Sequence, residues 1–352
     1  MKPIAIRPDR YRQFGPSEGC TFCFVTNLDI VDRFLIEKSG SYADYRTITY
    51  DQEGSFAVIL NNEIPEKSHV FVVSPNCFFR SPDSEVLGPQ RKLIAMACNS
   101  TPTPLAAVEH FLDVIERTDP YAQAEFANRF FELGQKNDRL EIVDEEYETR
   151  AIFDHLDDRY EWNLQAGPLD WGEQQIAPSG EISVLPADIW EFNPKLCLAI
   201  NGEIAFRGLP ILHSGEPSFL REDQARIFSQ LQHMKQHALI AKVEQGVVIS
   251  LRPTHPDVKP AAEMLEAMAM VDSRYWTIWE LGFAINTSLD LLWGNYAMNE
   301  VYGGTQGALH FGLGLTPYTQ YHLDLICPGT RVYGQDKKLL LGTPELSSAV
   351  NK

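Results

Sequence analysis

Five polar residues in the second half of the chain interrupt runs that are otherwise apolar. Glu181 follows "APSG" and opens "EISVLP". Glu280 lies in "YWTIWELGFAIN", between Trp279 and Leu281. His310 lies in "GALHFGLG", and His322 and Asp324 lie in "YHLDLI". Carboxylates are seldom buried unless they are paired or bind something. Alternate residues of a strand face the same way, so His322 and Asp324, two apart, project together. Two imidazoles and three carboxylates are donors suited to zinc, cobalt, manganese or iron. Converging on one centre, they would hold a divalent metal. Two ions held close by carboxylates would activate a shared water and stabilise an oxyanion. Each residue also has a plainer reading. A histidine in an apolar strand is commonly a core residue with satisfied hydrogen bonds, and Glu280 could pair with Arg274 or Lys242. The concurrence of five favours the metal centre.

These residues need strands to carry them. Beyond residue 160 the sequence offers "GEISVLP", "LCLAINGEIAFRG", "ALIAKVEQGVVISL", "ALHFGLG", "YHLDLIC" and "KKLLLG". The "NG" of "AINGEIAF" and the "QG" of "KVEQGVVI" sit between apolar runs, as hairpin turns do. Two helical patterns, "REDQARIFSQLQHMKQHAL" and "KPAAEMLEAMAMVDSRYW", interrupt them. Residues 161–352 are therefore expected to form an α+β domain with mostly antiparallel strands. Residues 1–160 read as an α/β domain. "GSFAVILNN" (54–62), "HVFVVSP" (69–75) and "KLIAMAC" (92–98) are strand candidates. After them, Leu105, Val108, Phe111 and Ile115 recur at helical spacing, and 119–135 reads as a second helix closed by Gly134. An acidic, turn-rich stretch over 136–175 marks the change of character between the two.

The totals narrow the partners. The 352 residues carry 48 acidic against 30 basic side chains, a formal charge of -18. That balance argues against nucleic acid or an anionic membrane as partner. No apolar run reaches the roughly 20 residues that span a bilayer, and the N-terminus has no apolar stretch of signal-peptide length, so a cytoplasmic protein is expected. Cys20 and Cys23 form a lone C-x-x-C. A four-ligand zinc site would need a second pair, so they read as structural thiols. "HMKQH" (233–237) would place two histidines on one face of a helix, but lacks the glutamate of H-E-x-x-H and reads as a solvated face. The glycines of "NEVYGGTQGALHFGLG" lack the Gly-Lys-Ser/Thr of a phosphate loop.

The segments "IAPSGEI", "IWELGFAIN", "ALHFGLG" and "YHLDLI", in this order, resemble the metal-binding landmarks of the M29 family of metallo-aminopeptidases. The resemblance spans about 170–335. It implies an M29-like fold and a dinuclear metal centre held by Glu181, Glu280, His310, His322 and Asp324. Zinc is the expected metal, with cobalt or manganese as alternatives. It further implies that Glu181 or Glu280 lies nearest the reacting water, that Tyr318 helps stabilise the oxyanion, that a peptide is the substrate, and that the chain forms a homodimer. One departure concerns Gly282, which follows the acid where the family usually has glycine before it. The same fold family includes a mononuclear iron dioxygenase that cleaves a dihydroxypyridine ring, and His310, His322 and Asp324 would equally make its two-histidine, one-aspartate triad. A third alternative is a non-catalytic relative that binds a peptide.

Overall fold

Ser68–Val73 is buried at all six positions, as a strand must be when helices or loops cover both faces of its sheet. It lies inside a five-stranded parallel sheet, in the order Gln174–Ala177, Arg91–Met96, Ser68–Val73, Thr21–Asn27, Asp44–Tyr50. The description comes from a computed structural model and covers residues 2–51, 56–187, 197–215, 219–314 and 318–342. The chain forms two compact units, neither of them one continuous stretch. The first comprises Met1–Phe126, Leu164–Glu181 and Ser288–Val301; the second comprises Ala127–Asn163, Ile182–Thr287 and Tyr302–Lys352.

The parallel sheet belongs to the first unit. The helix Leu105–Arg117 forms where the spacing predicts it, and buries Val108, Phe111, Leu112 and Ile115 along one stripe. Residues 54–62, expected as a strand, are a helix over Phe56–Asn62 in their described part. Phe56, Ile59 and Leu60 stand at i, i+3 and i+4, and all three enter a core with Cys23, Val25, Val70 and Leu93. A short apolar run with both periods admits either element, and burial of this stripe decided for the helix. Cys20 and Cys23 are free and buried, and burial pushes the Cys23 thiol up to about 12.

His69 sits within this sheet, fully buried. Its ring stacks on Phe14 at 4.7 Å, and its Nδ1 shares a 2.9 Å hydrogen bond with the Tyr42 hydroxyl. The nearby Lys92 ammonium donates to the carbonyls of Phe14 (2.8 Å) and Leu169 (2.6 Å). Burial, reinforced by Lys92, pushes the His69 imidazole down to about 3.

The second unit contains two further sheets. The six-stranded one runs Leu209–Ser214, Tyr321–Cys327, Ala308–Leu313, Ile278–Ala284, Glu181–Pro186, Tyr160–Gln165. Its first four strands pair antiparallel. The seven-stranded one includes Val247–Pro253, Leu239–Glu244, Ile200–Phe206 and Thr149–Phe153, also antiparallel. Gln245 and Gly246, with φ of 49° and 76°, make the tight turn expected of "QG". "NG" is not a turn. Asn201 and Gly202 lie inside the strand Ile200–Phe206, where a Cβ on Gly202 would come within 2.4 Å of the Arg150 carbonyl. This glycine serves close approach of a neighbouring strand rather than reversal of the chain. Among the described residues, no helix is long and apolar enough to cross a membrane.

Candidate metal centre

The six-stranded sheet explains how polar residues came to interrupt apolar runs. Its register aligns Glu280 with Gly312, Gly312 with Asp324, and Asp324 with Ile211. Two residues along, Gly282 aligns with His310; on the other side, His322 aligns with His213. Residues aligned across antiparallel strands share a face, as do alternate residues along each strand. Glu280, His310, His322, Asp324 and His213 therefore all project from one face. Leu281, Phe283, Phe311, Leu323 and Leu325 project from the other, and all five are fully buried. Phe311 packs on Phe206 of the seven-stranded sheet at 5.5 Å between ring centres. Burying each such side chain contributes about 1.5–3 kcal/mol. That apolar face holds the strands in place, and the polar face is left for chemistry.

Two glycines hollow out the polar face. A Cβ at Gly282 would lie 1.9 Å from His310 Nε2, so the imidazole lies across a position where any other residue would have a side chain. A Cβ at Gly312 would meet Glu280 Cβ at 2.6 Å and His322 Cε1 at 3.0 Å. Gly282 is thus the seat of His310.

The donors form a row in which imidazole and carboxylate alternate. A ring nitrogen of His310 and a carboxylate oxygen of Glu280 lie within 4.8 Å of each other. His322 Nε2 stands 3.3 Å from Glu280 Oε2 and 3.1 Å from Asp324 Oδ1. On the far side of the same carboxylate, His213 Nε2 stands 3.0 Å from Asp324 Oδ2. Arg274 and Lys242, the candidate partners of Glu280, form ion pairs with Asp272 and Glu244.

Hydrogen bonds behind the row fix its tautomers. His322 Nδ1 lies 3.0 Å from the Gly314 carbonyl, an acceptor only, so Nδ1 carries hydrogen and Nε2 is turned to the carboxylates. The Tyr275 hydroxyl donates to the Tyr321 carbonyl at 3.1 Å and accepts from the Tyr321 amide at 3.0 Å, which secures the strand one residue before His322. Burial opposes charge on His322, but Asp324 and Glu280 outweigh it and hold its pKa well above the ordinary 6.5. Burial alone would raise the Asp324 carboxyl; His322 and His213 instead drive it far below the ordinary carboxylate range. Glu280, His322 and Asp324 offer three donor atoms within 4.8 Å of one another. Two anionic oxygens, an imidazole nitrogen aimed by the bond behind it, and a hollow made by missing side chains fit a divalent cation, which would displace the Nε2 proton.

Of the sequence-predicted residues, the structure thus brings together Glu280, His310, His322 and Asp324. Glu181 is buried and opens the strand next to Ile278–Ala284 in the sheet. Tyr318 lies in the turn before Tyr321–Cys327 and is half-buried. His213 was missed. Its signal was present in "LPILHS", a polar residue at an alternating position in an apolar strand, the same signal that marks His310. "HMKQH" does not form one helical face: the helix ends at Leu231 and a 3-10 turn follows. His237 stacks on His255 at 4.1 Å, and His255 Nδ1 is taken by the Asp257 amide at 3.2 Å.

No family model matches the sequence, and no curated protein matches it. Solved structures do. A 2,5-dihydroxypyridine dioxygenase from Pseudomonas putida KT2440 aligns at 11% identity with a TM-score of 0.53, over 93% of this chain and 92% of its own. The likeness is one of fold. Wild-type AmpT from Thermus thermophilus aligns at 12% identity with a TM-score of 0.44, over 94% and 95% of the two chains. At such identities the chemistry must be argued from the residues themselves.

Proposed function

We propose that the chain is a metal-dependent hydrolase of the aminopeptidase kind, acting on a peptide or a related amide. The observation that carries this reading is the convergence of Glu280, His322 and Asp324 within 4.8 Å. His310 beside Glu280 would extend the donor set toward a second ion. A bound zinc, cobalt or manganese would act as a Lewis acid, polarising a carbonyl and making a water acidic near neutral pH. The residues do the rest. Asp324, fully buried, contributes fixed negative charge. His322 supplies a nitrogen whose direction is set by the Gly314 carbonyl. Glu280 is the partly accessible carboxylate of the row, with 13% of its side chain exposed, and so lies where water would enter. A carboxylate-rich site also suits a substrate with a free, positively charged amino terminus.

The test is metal content by elemental mass spectrometry on the wild type and His322→Ala, followed by a screen of peptides with free amino termini. About two zinc-like ions per chain in the wild type, lost in the variant, with peptide cleavage, is the expected result. Absence of any transition metal from a metal-loaded wild type would overturn the reading. Tight peptide binding without turnover would point to a non-catalytic relative.

A second reading draws on the dioxygenase with which the fold is shared. One iron held by His310, His322 and Asp324 would serve ring cleavage with oxygen. It predicts one iron per chain, oxygen uptake with an electron-rich ring substrate, and indifference to Glu181→Ala.

A further inference from the structure

The row of donors does not end at Asp324. His213 lies on Leu209–Ser214, the edge strand of the sheet, directly across from His322 in register. Its ring centre is 5.8 Å from that of His322, and its Nε2 is 3.0 Å from Asp324 Oδ2. The other oxygen of the same carboxylate, Oδ1, is 3.1 Å from His322 Nε2. The two oxygens therefore face different partners. Only Oδ1 is turned toward the side where Glu280 and His322 converge.

At 3.0 Å a ring N–H is attracted to a carboxylate oxygen, whereas two lone pairs at that separation repel. His213 Nε2 is thus placed to donate to Oδ2; His322 Nε2 stands in the same relation to Oδ1, and there a cation would displace the proton. The torsion that orients a carboxylate about its last bond is broad and roughly two-fold. A fixed donor on one oxygen selects the orientation of the other. Asp324 has no exposure to water, so nothing else from solvent can perform this task.

We propose that His213 is the positioning residue for Asp324. It donates Nε2–H to Oδ2 and so fixes Oδ1 as the oxygen presented beside His322 and Glu280. The inference rests on Asp324 and His322 holding a metal, but not on which reaction the metal serves.

Cobalt(II) titration of the purified, metal-stripped full chain tests it, with stoichiometry read from visible absorbance and affinity from chelator competition. His213→Ala is expected to bind the same number of ions with affinity weakened by about 10–100-fold, the usual consequence of removing a donor behind a ligand. His213→Gln, whose amide can donate to the same oxygen, is expected to recover most of that loss. Melting of the metal-free proteins separates loss of fold from loss of positioning. Unchanged affinity in a folded His213→Ala would overturn the proposal. So would loss of a whole equivalent of cobalt that His213→Gln fails to restore, which would make His213 a ligand. A wild type that binds no cobalt would instead remove the metal-centre reading on which the proposal stands.

Discussion

His69 and His322 both lie within strands, and their surroundings work in opposite directions. In the parallel sheet, His69 has aromatic rings, the Tyr42 hydroxyl and a lysine around it. Burial pushes its pKa down to about 3. In the antiparallel sheet, His322 stands between Glu280 and Asp324, which raise its pKa despite burial. A histidine interrupting an apolar strand therefore means little by itself. What distinguishes a packed imidazole from a candidate ligand is whether neighbouring strands bring anionic oxygens to the same face. That depends on register between strands distant in sequence.

The largest expected break in this comparison comes from Asp324→Ala. It leaves His213 and His322 without their shared anion and should abolish metal binding. It should also cost about 3–5 kcal/mol of stability, the usual penalty for removing one partner of a buried charge pair. Elemental analysis and urea unfolding read both effects. His69→Gln, by contrast, should leave metal content unchanged.

The pH dependence of the two histidines has opposite sign. The depressed pKa of His69 means that the unfolded chain takes up a proton that the folded chain refuses. The associated stability is intact above about pH 6.5 and falls by up to about 1.4 kcal/mol per unit between there and about pH 3. Urea midpoints at pH 7, 5 and 4 should show a shallower decline for His69→Gln than for the wild type. In metal-stripped protein, the raised pKa of His322 contributes stability that is full below about pH 6.5 and is lost as pH rises through the folded value. Since a bound metal must displace that proton from Nε2, metal affinity should climb with pH across the same range, with release of a proton detectable in weakly buffered titrations.

Smaller effects sharpen the picture. Gly282→Ala places a methyl where the His310 ring lies and should cost about 1–3 kcal/mol, with weakened metal binding. His255→Ala, at the exposed stacked pair, should change stability by no more than about 0.5 kcal/mol and leave tightly bound metal unaltered.

Much of the candidate centre was legible because donors stand out against apolar strands. Glu280, His310, His322 and Asp324 were identifiable from their flanking residues, and the structure places all four on one face. His213 carries the same local signal but gains meaning only from its alignment with His322, which sequence spacing does not reveal. The parallel and antiparallel sheets were foreshadowed by buried β-branched runs and by glycine-punctuated ones. Phe56–Asn62 was misread because seven residues satisfy either period, and the "NG" of Asn201 and Gly202 because glycine marks close approach as readily as reversal. The woven division of the chain was also hidden, since it depends on long-range contacts rather than on any change in composition.

The hollow at Gly282 and Gly312 makes this centre unusually easy to disarm. No donor need change. A single carbon added at either position intrudes on His310 or on Glu280 and His322 while every imidazole and carboxylate stays in the chain. Such a variant would keep the chemical inventory of a metal site and lose its working space. Among homologous sequences, retention of the five polar residues would then be a poor guide to activity unless both glycines accompany them.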